Sequence, residues 1–432
     1  MSKPTFVISC PIDTYSGYGA RSRDIVKAVI ELDKYDVKIL PQRWGNTPFG
    51  FINENPEWGF LAKHILTTPQ LPAQPEIWMQ ITVPNEFQPI GKYNIGVTAG
   101  IETTIAPGDW VEGCNKMNLV LGSSKHTIEI LKNSKFEKRD NQTQQVVGHI
   151  EWNGDSEILF EGANTKVYKP DTKPCMIDFN IKEDFAYLFV GHWIGNTPIG
   201  EDRKNITLLI KAFYETFKNK TKKPALILKT TQVGASYMDR TELLKRISAI
   251  RSTVNSKNLP NIYLLHGEFT DEEMNSLYNH SKVKAMISLT KGEGFGRPLL
   301  EFSMTNKPII TTNWSGHVDY LNPEFTTLLA GQLTNVHPSA ANNMLLPESQ
   351  WFSVDHGQAG HYLKDVFENY KNYTDKGKRQ GYYSRTNFSF DKMKEKLDNI
   401  LTTKVPEFPK QVQLQLPKLN KIELPKLKKV EA

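Results

Sequence analysis

Three glycines, two glutamates and a proline crowd into Thr290-Lys291-Gly292-Glu293-Gly294-Phe295-Gly296-Arg297-Pro298-Leu299-Leu300-Glu301. An apolar, strand-like run from Val283 to Leu289 leads in, and a helix-like run from Pro298 to Thr305 leads out. The spacing therefore predicts a strand-to-helix turn. Pro298 suits the first helical position, where its missing N–H costs nothing. Gly292, Gly294 and Gly296 let the backbone approach a ligand closely. The free N–H groups of the helix start, roughly 296 to 301, would converge on one spot with the positive end of the helix dipole behind them, an anion site and above all a phosphate site. Glu293 in the loop and Glu301 in the first helical turn frame it, with seven residues between them. A Gly-rich turn alone supports only a tight turn whose carboxylate complements a helix N-terminus. Here both carboxylates, the glycine spacing and the proline coincide.

That stretch resembles the E-x7-E signature of the retaining nucleotide-sugar glycosyltransferases with the two-Rossmann GT-B fold, glycosyl transferases group 1, whose usual text is close to E-G-F-G-x-P-x-x-E. The resemblance implies a donor site made by Gly294, Phe295, Gly296, Arg297, Leu299, Leu300 and Glu301. In it Glu301 would bind ribose hydroxyls, since a carboxylate accepts two hydrogen bonds well. Glu293 would face the donor sugar and stabilise positive charge on its ring. Arg203-Lys204-Asn205, ahead of a helix-like run, resembles the R-K-N variant of the family's basic donor-phosphate motif. By spacing alone Arg203 and Lys204 read as a solvated basic pair; beside Glu293 and Glu301 they read as the cations that a diphosphate leaving group requires. The catalytic set implied is Glu293, Lys204 and Arg203. The family more often places an arginine directly after the strand and glycine, where this chain has His192 after Gly191.

The elements that must position these residues alternate strand and helix. Thr5 to Cys10 reads as a buried strand, followed by a Tyr15–Arg21 loop with Gly17 and Gly19, an amphipathic helix from about Ser22 to Leu32, and a strand at Val37 to Leu40. This opens a doubly wound sheet. Gly17 and Gly19 suit a loop beside a ligand at the strands' carboxyl ends, although a plain tight turn fits equally and no G-x-G-x-x-G fingerprint is present. Residues 44–75 read as surface connections. Strands follow at Glu76 to Val83, Tyr93 to Ala99 and Leu119 to Leu121, with a helix between the last two and another after Ser123-Ser124. Glu102-Thr103, Pro107, Trp110 and Ser123-Ser124 resemble an E-T…P…W…S pattern of some of the same enzymes. Glu102 and Thr103 stand in the loop where many relatives carry a histidine facing the donor sugar, so that role does not carry over; a cap or salt-bridge carboxylate is the equal alternative for Glu102. Residues 135–155 are polar and read as an insertion or mobile loop.

A segment at 161–170 resembles the one that ends the family's first domain. A second alternation then runs through strands at Phe185 to Gly191, Ala225 to Lys229, Ile262 to Gly267 and Pro308 to Thr312, the last clear strand, with helices at Ile206 to Phe217 and Thr270 to His280. Trp314 to Leu321 resembles the family's post-motif turn, with Asp319 where its acid usually stands. A helix from Phe390 to Leu401 resembles the final helix that packs back on the first domain. The domains expected are 1–172, Rossmann-like and acceptor-binding; 173–386, Rossmann-like and donor-binding; 387–404, the returning helix; and 405–432, a tail rich in Lys, Pro and Leu outside the catalytic fold.

Composition sets the outer bounds. A chain of 432 residues suggests two or three domains, and 39% hydrophobic residues suffice for real cores. Cys10, Cys114 and Cys175 are too few and too scattered for a disulfide scaffold or a metal-ligand spacing, which favours a reducing compartment. No leader is evident and no apolar run is long enough to cross a bilayer, so the expectation is cytoplasmic. The net charge of +6 is mild and admits an anionic substrate or a nucleic acid. The reading is a fold of class α/β, GT-B, with two Rossmann-like domains across a cleft. Its expected activity is metal-independent, retaining transfer from a nucleoside-diphosphate sugar, UDP or GDP, to a hydroxyl acceptor, with no cofactor and no metal. Two alternatives stand beside it: the same chemistry on a hydroxymethylated DNA base, flipped out to reach the cleft, and a sugar-nucleotide-binding protein without catalysis.

Overall fold

The computed structural model describes residues 3–409, except 72, 141, 174–175, 178–179, 196 and 233. In the first half, chain order runs β1 (Thr5–Cys10), α1 (Gly17–Glu31), β2 (Asp36–Pro41), α2 (Phe51–Glu54), β3 (Ile77–Ile81), β4 (Tyr93–Thr98), α3 (Gly108–Cys114), β5 (Leu119–Gly122), α4 (Lys125–Asn133), β6 (Phe136–Arg139), β7 (Val146–Ile150) and β8 (Ser156–Ile158). The sheet order is β2-β1-β3-β4-β5-β8, parallel throughout. Parallel strands covered on both faces must be apolar on both, and β3, Ile77-Trp78-Met79-Gln80-Ile81, is buried at every position.

The second half runs β9 (Ala186–Val190), α5 (Ile206–Phe217), β10 (Ala225–Lys229), α6 (Tyr237–Ser252), β11 (Ile262–Leu265), α7 (Asp271–Asn279), β12 (Val283–Ser288), α8 (Arg297–Ser303), β13 (Ile309–Thr312), β14 (Thr327–Leu329), β15 (Gly331–Asn335), β16 (Gln350–Val354), α9 (His356–Glu368), α10 (Lys371–Asn387) and α11 (Phe390–Lys404). Its sheet order is β11-β10-β9-β12-β13-β14, again parallel. One core fills each face of this sheet. Met393, Leu397, Ile400 and Leu401 of α11 belong instead to the core under the first sheet, packed with Ile25 and Val29 of α1.

Three local expectations are corrected, and one further element, α6, had no expectation. The α1 helix begins at Gly17, because the Ser16 hydroxyl caps it by accepting the Gly19 N–H at 2.9 Å; both glycines are therefore helical. The polar 135–155 stretch is not an open loop but the β6–β7 hairpin, followed by a Trp152 that is 1% exposed. The strand at Ile309–Thr312 is not the last, since β14 pairs with it and β15–β16 follow as an antiparallel hairpin. The α6 helix gave no periodic signal because only Leu243 and Ile250 are buried on it; a capping box of Ser236 and Asp239 starts it. The expected tail falls largely on residues 410–432, outside the described residues.

Candidate active site

The carboxyl ends of both sheets face a cavity of about 520 Å³, where open α/β sheets place their ligands. Lys204 is brought there by the start of α5. Asp202 accepts the N–H groups of Ile206 at 2.7 Å and Thr207 at 3.2 Å, which closes the first turn. Asn205 takes a left-handed conformation, φ 55°, to enter the helix. The Arg203 carbonyl accepts the Lys291 N–H at 2.9 Å, which fastens this loop to the glycine-rich one.

In the glycine-rich loop, Ser315 Oγ accepts the Glu293 N–H at 2.9 Å and the Glu293 carbonyl accepts the Gly316 N–H at 2.8 Å. The Glu293 carboxylate then receives Lys204 Nζ at 2.6 Å on each oxygen. Burial would raise its pKa, but Lys204 and Arg203 outweigh burial and hold it below the usual carboxylate range. Arg203 itself pairs with Glu102 of the opposite half at 2.7 Å. The Glu102 carboxylate thus forms a salt bridge, and it also lines the cavity.

Glu301 sits in a different field. Arg297 Nε donates to Oε1 at 2.8 Å and Tyr278 OH to Oε2 at 3.2 Å. Burial nevertheless pushes its carboxyl up to about 7, with Arg297 opposing and Asp271 adding to the rise. Arg297 is shared: Nη1 lies 2.5 Å from Asp24 on α1 and 4.0 Å from Glu161. One guanidinium therefore joins Glu301 to two carboxylates of the first half.

Among the expected site residues, Glu293, Lys204, Arg203, Gly17, Gly294, Phe295, Gly296, Arg297, Glu301 and Glu102 line the cavity. Gly19, Leu299, Leu300 and Thr103 do not. A Cβ at Gly19 would lie 2.3 Å from the Thr14 carbonyl oxygen, so this glycine serves packing. Leu299 and Leu300 point into a core, and their N–H groups bond back to the Gly296 carbonyl at 2.9 and 3.4 Å. The Leu299 and Leu300 amides are thereby taken up within the turn. Thr103 is fully buried and donates to the Ile105 carbonyl.

The motif glycines also act differently from the expectation. A Cβ at Gly292 would meet the Glu102 carbonyl oxygen at 2.3 Å, and one at Gly294 the Ala99 carbonyl oxygen at 2.3 Å. Both admit the close approach of the opposite half of the protein, and Gly294 also lines the cavity. Only Gly296, with φ +89°, is needed for its own backbone conformation. Asp319 likewise spans the halves, accepting the first N–H of α4, from Lys125, at 2.7 Å.

Sequence reasoning missed one wall of the cavity. Tyr18 stacks on Trp44 with centroids 4.0 Å apart, and Tyr15 meets Phe51 edge-on at 5.1 Å. Lys229, Phe269 and Asp271 also line the cavity. These side chains come from separate segments with no shared local pattern. A strand-end Lys229 in an otherwise apolar run was the one available signal.

Residues 199–341 match the family described as glycosyl transferases group 1. No match was found among curated protein sequences. Three solved structures are similar over nearly the whole chain. Anabaena HepE in complex with UDP and glucose has a TM-score of 0.59 at 10% identity, covering 93% of this chain and 100% of its own. A Rickettsia africae glycosyltransferase has 0.58 at 13%, covering 94% and 99%. The sucrose-phosphate synthase of Thermosynechococcus elongatus has 0.57 at 11%, covering 93% and 98%. At these identities the likeness is one of fold, and that fold is GT-B. The family match spans Arg203, Lys204, Glu293 and Glu301 together. Over residues 199–341 the chain is similar to the group 1 glycosyltransferases, which supports an enzyme, and its fold is GT-B.

Proposed function

We propose that the enzyme transfers a sugar, with retention of its anomeric configuration, from a nucleoside-diphosphate sugar to a hydroxyl of a glycan or another soluble acceptor. The observation that carries this reading is the grip of Lys204 on both Glu293 oxygens, with Arg203 beside it, in a cavity that also holds Glu301. As the bond from the sugar's anomeric carbon to the diphosphate oxygen breaks, negative charge grows on the diphosphate and positive charge on the ring. Lys204 and Arg203 stabilise the first and Glu293 the second. Glu301 takes the ribose hydroxyls. The acceptor oxygen attacks from the face that the diphosphate leaves, and its proton passes to the leaving phosphate, so no separate base is required. Residues 1–172 carry the acceptor and 173–386 the donor.

UDP is the favoured nucleotide, because the Anabaena neighbour was crystallised with UDP and with UDP-glucose. The reading with DNA as acceptor finds no support in these neighbours. We also propose that the reaction needs no divalent ion, since Lys204 and Arg203 supply positive charge at the diphosphate, and that it takes place in the cytoplasm, where the buried thiols of Cys10 and Cys114 stay reduced; Cys175 lies outside the described residues. The test is to screen UDP- and GDP-sugars for transfer and to read the product anomer by proton NMR. Transfer with retention and unchanged by EDTA is expected. An inverted product overturns the mechanism, and activity abolished by EDTA and restored by magnesium or manganese overturns metal independence.

A further inference from the structure

His192 follows β9 at the carboxyl edge of the second sheet. The strands' pairing continues past their formal ends, with Gly191 N–H on the Lys229 carbonyl at 3.2 Å and Trp193 N–H on the Thr231 carbonyl at 2.9 Å. His192 is thereby fixed at the cavity wall, with its side chain exposed there. Its Nδ1 lies 3.0 Å from Thr231 Oγ1 and 3.1 Å from the Gln232 carbonyl oxygen. A carbonyl can only accept, so Nδ1 carries the hydrogen and the lone pair of the neutral ring is on Nε2. Among the described residues no partner reaches Nε2, and it is not one of the buried unpartnered atoms.

The charges around the ring come from three segments: Arg203 and Lys204 before α5, Lys229 at the end of β10, and Glu293 and Glu102, which are already bound to Lys204 and Arg203. Desolvation at the wall and the repulsion of Lys204, Lys229 and Arg203 push the imidazole down to about 4, so it is neutral near pH 7. A diphosphate held by Lys204 would reverse the sign of that local field.

Resting on the nucleotide-sugar reading above, we propose that His192 takes up a proton from solvent as the donor enters and, held through Nδ1 by Gln232, donates from Nε2 to the diphosphate as a third cation. The site then carries its full positive charge only when the anion is present. The sign follows from linkage: a group whose pKa rises on binding strengthens binding as pH falls through the raised value, until the free value of about 4 is reached.

The test is titration calorimetry of the full chain with whichever of UDP-glucose and GDP-glucose binds more tightly, in buffers of different ionisation enthalpy. Neither donor titrates near neutrality, so any proton exchanged comes from the protein or the buffer. Glu301 titrates in the same window with the opposite sign, so the comparison is with His192→Gln and His192→Arg. For the wild type, relative to His192→Gln, uptake of up to about one more proton per donor is expected, and a gain in affinity of up to about tenfold per pH unit between about pH 8 and pH 6. His192→Arg should bind tightly without that uptake. Equal proton counts and equal pH slopes in the wild type and His192→Gln, both binding donor, overturn the proposal alone. Binding of neither donor by the wild type overturns the nucleotide-sugar reading, and the proposal with it.

Discussion

Glu293 and Glu301 share one motif but differ in what holds them. Glu293 is bound by a lysine and kept ionised, while Glu301 shares its arginine with Asp24 and Glu161. Glu301→Ala should chiefly weaken donor binding, by about 1.5–3 kcal/mol for a lost charged hydrogen bond. Glu293→Ala should chiefly lower turnover, because its interaction grows as charge develops. Steady-state kinetics separate the two, and a change in the Michaelis constant alone for both variants refutes the assignment. Glu301 also predicts a pH dependence of stability. Its folded pKa of about 7 lies above the ordinary 4.5, so the folded state binds the proton more readily. The contribution is fully present below the ordinary value and is lost as pH rises through about 7. Urea unfolding at about pH 5 and about pH 8 should therefore show a larger loss of stability in the wild type than in Glu301→Gln. Equal losses would contradict that pKa.

Among elements, the loop between β12 and α8 is the joint between the halves. Gly292 and Gly294 lie against the 99–102 segment, and Ser123 Oγ donates to the Gly294 carbonyl at 3.0 Å. A methyl at Gly294 cannot be accommodated, since its nearest neighbour is backbone at 2.3 Å. Gly294→Ala should push the loop away from the first half and displace Glu293 from its place beside Lys204. A fall in kcat/KM of about a hundredfold is expected, the scale of a misplacement near 1 Å. A far smaller loss in the unfolding midpoint should accompany it, and wild-type kcat/KM in this variant would show that the approach of the two loops is not needed.

For the whole molecule, Arg297 and α11 supply two of the contacts that bind the halves. Arg297 reaches Asp24 across 273 positions of sequence, and α11 returns its apolar face to α1. Replacing the guanidinium with an uncharged side chain of similar length strands three buried carboxylates. Arg297→Met should cost about 3–5 kcal/mol, measured by denaturant unfolding, and Asp24→Asn in that background should recover part of the loss. A loss no greater than that of an exposed ion pair, such as Lys392→Met at its contact with Glu395, would show that Arg297 does not hold the halves together.

Much of this protein was legible from local chemistry. Ile206 to Phe217 and Ala225 to Lys229 are marked by runs of apolar residues between breakers, and the structure keeps those bounds. Glu293, Glu301 and the basic pair before α5 were visible because a short motif concentrates them. Helix α6 was not, because periodicity reads burial and this helix buries two residues. Tertiary structure alone decided that Lys204 holds Glu293, 89 positions away, that Arg203 pairs with Glu102, and that Leu299 and Leu300 face a core. It also decided that Gly292 and Gly294 let two halves meet closely. Propensity and capping act over a few residues and are written in the local sequence. Which charges neutralise one another across a cleft depends on how two separately formed sheets come to face each other, and no local pattern encodes that distance.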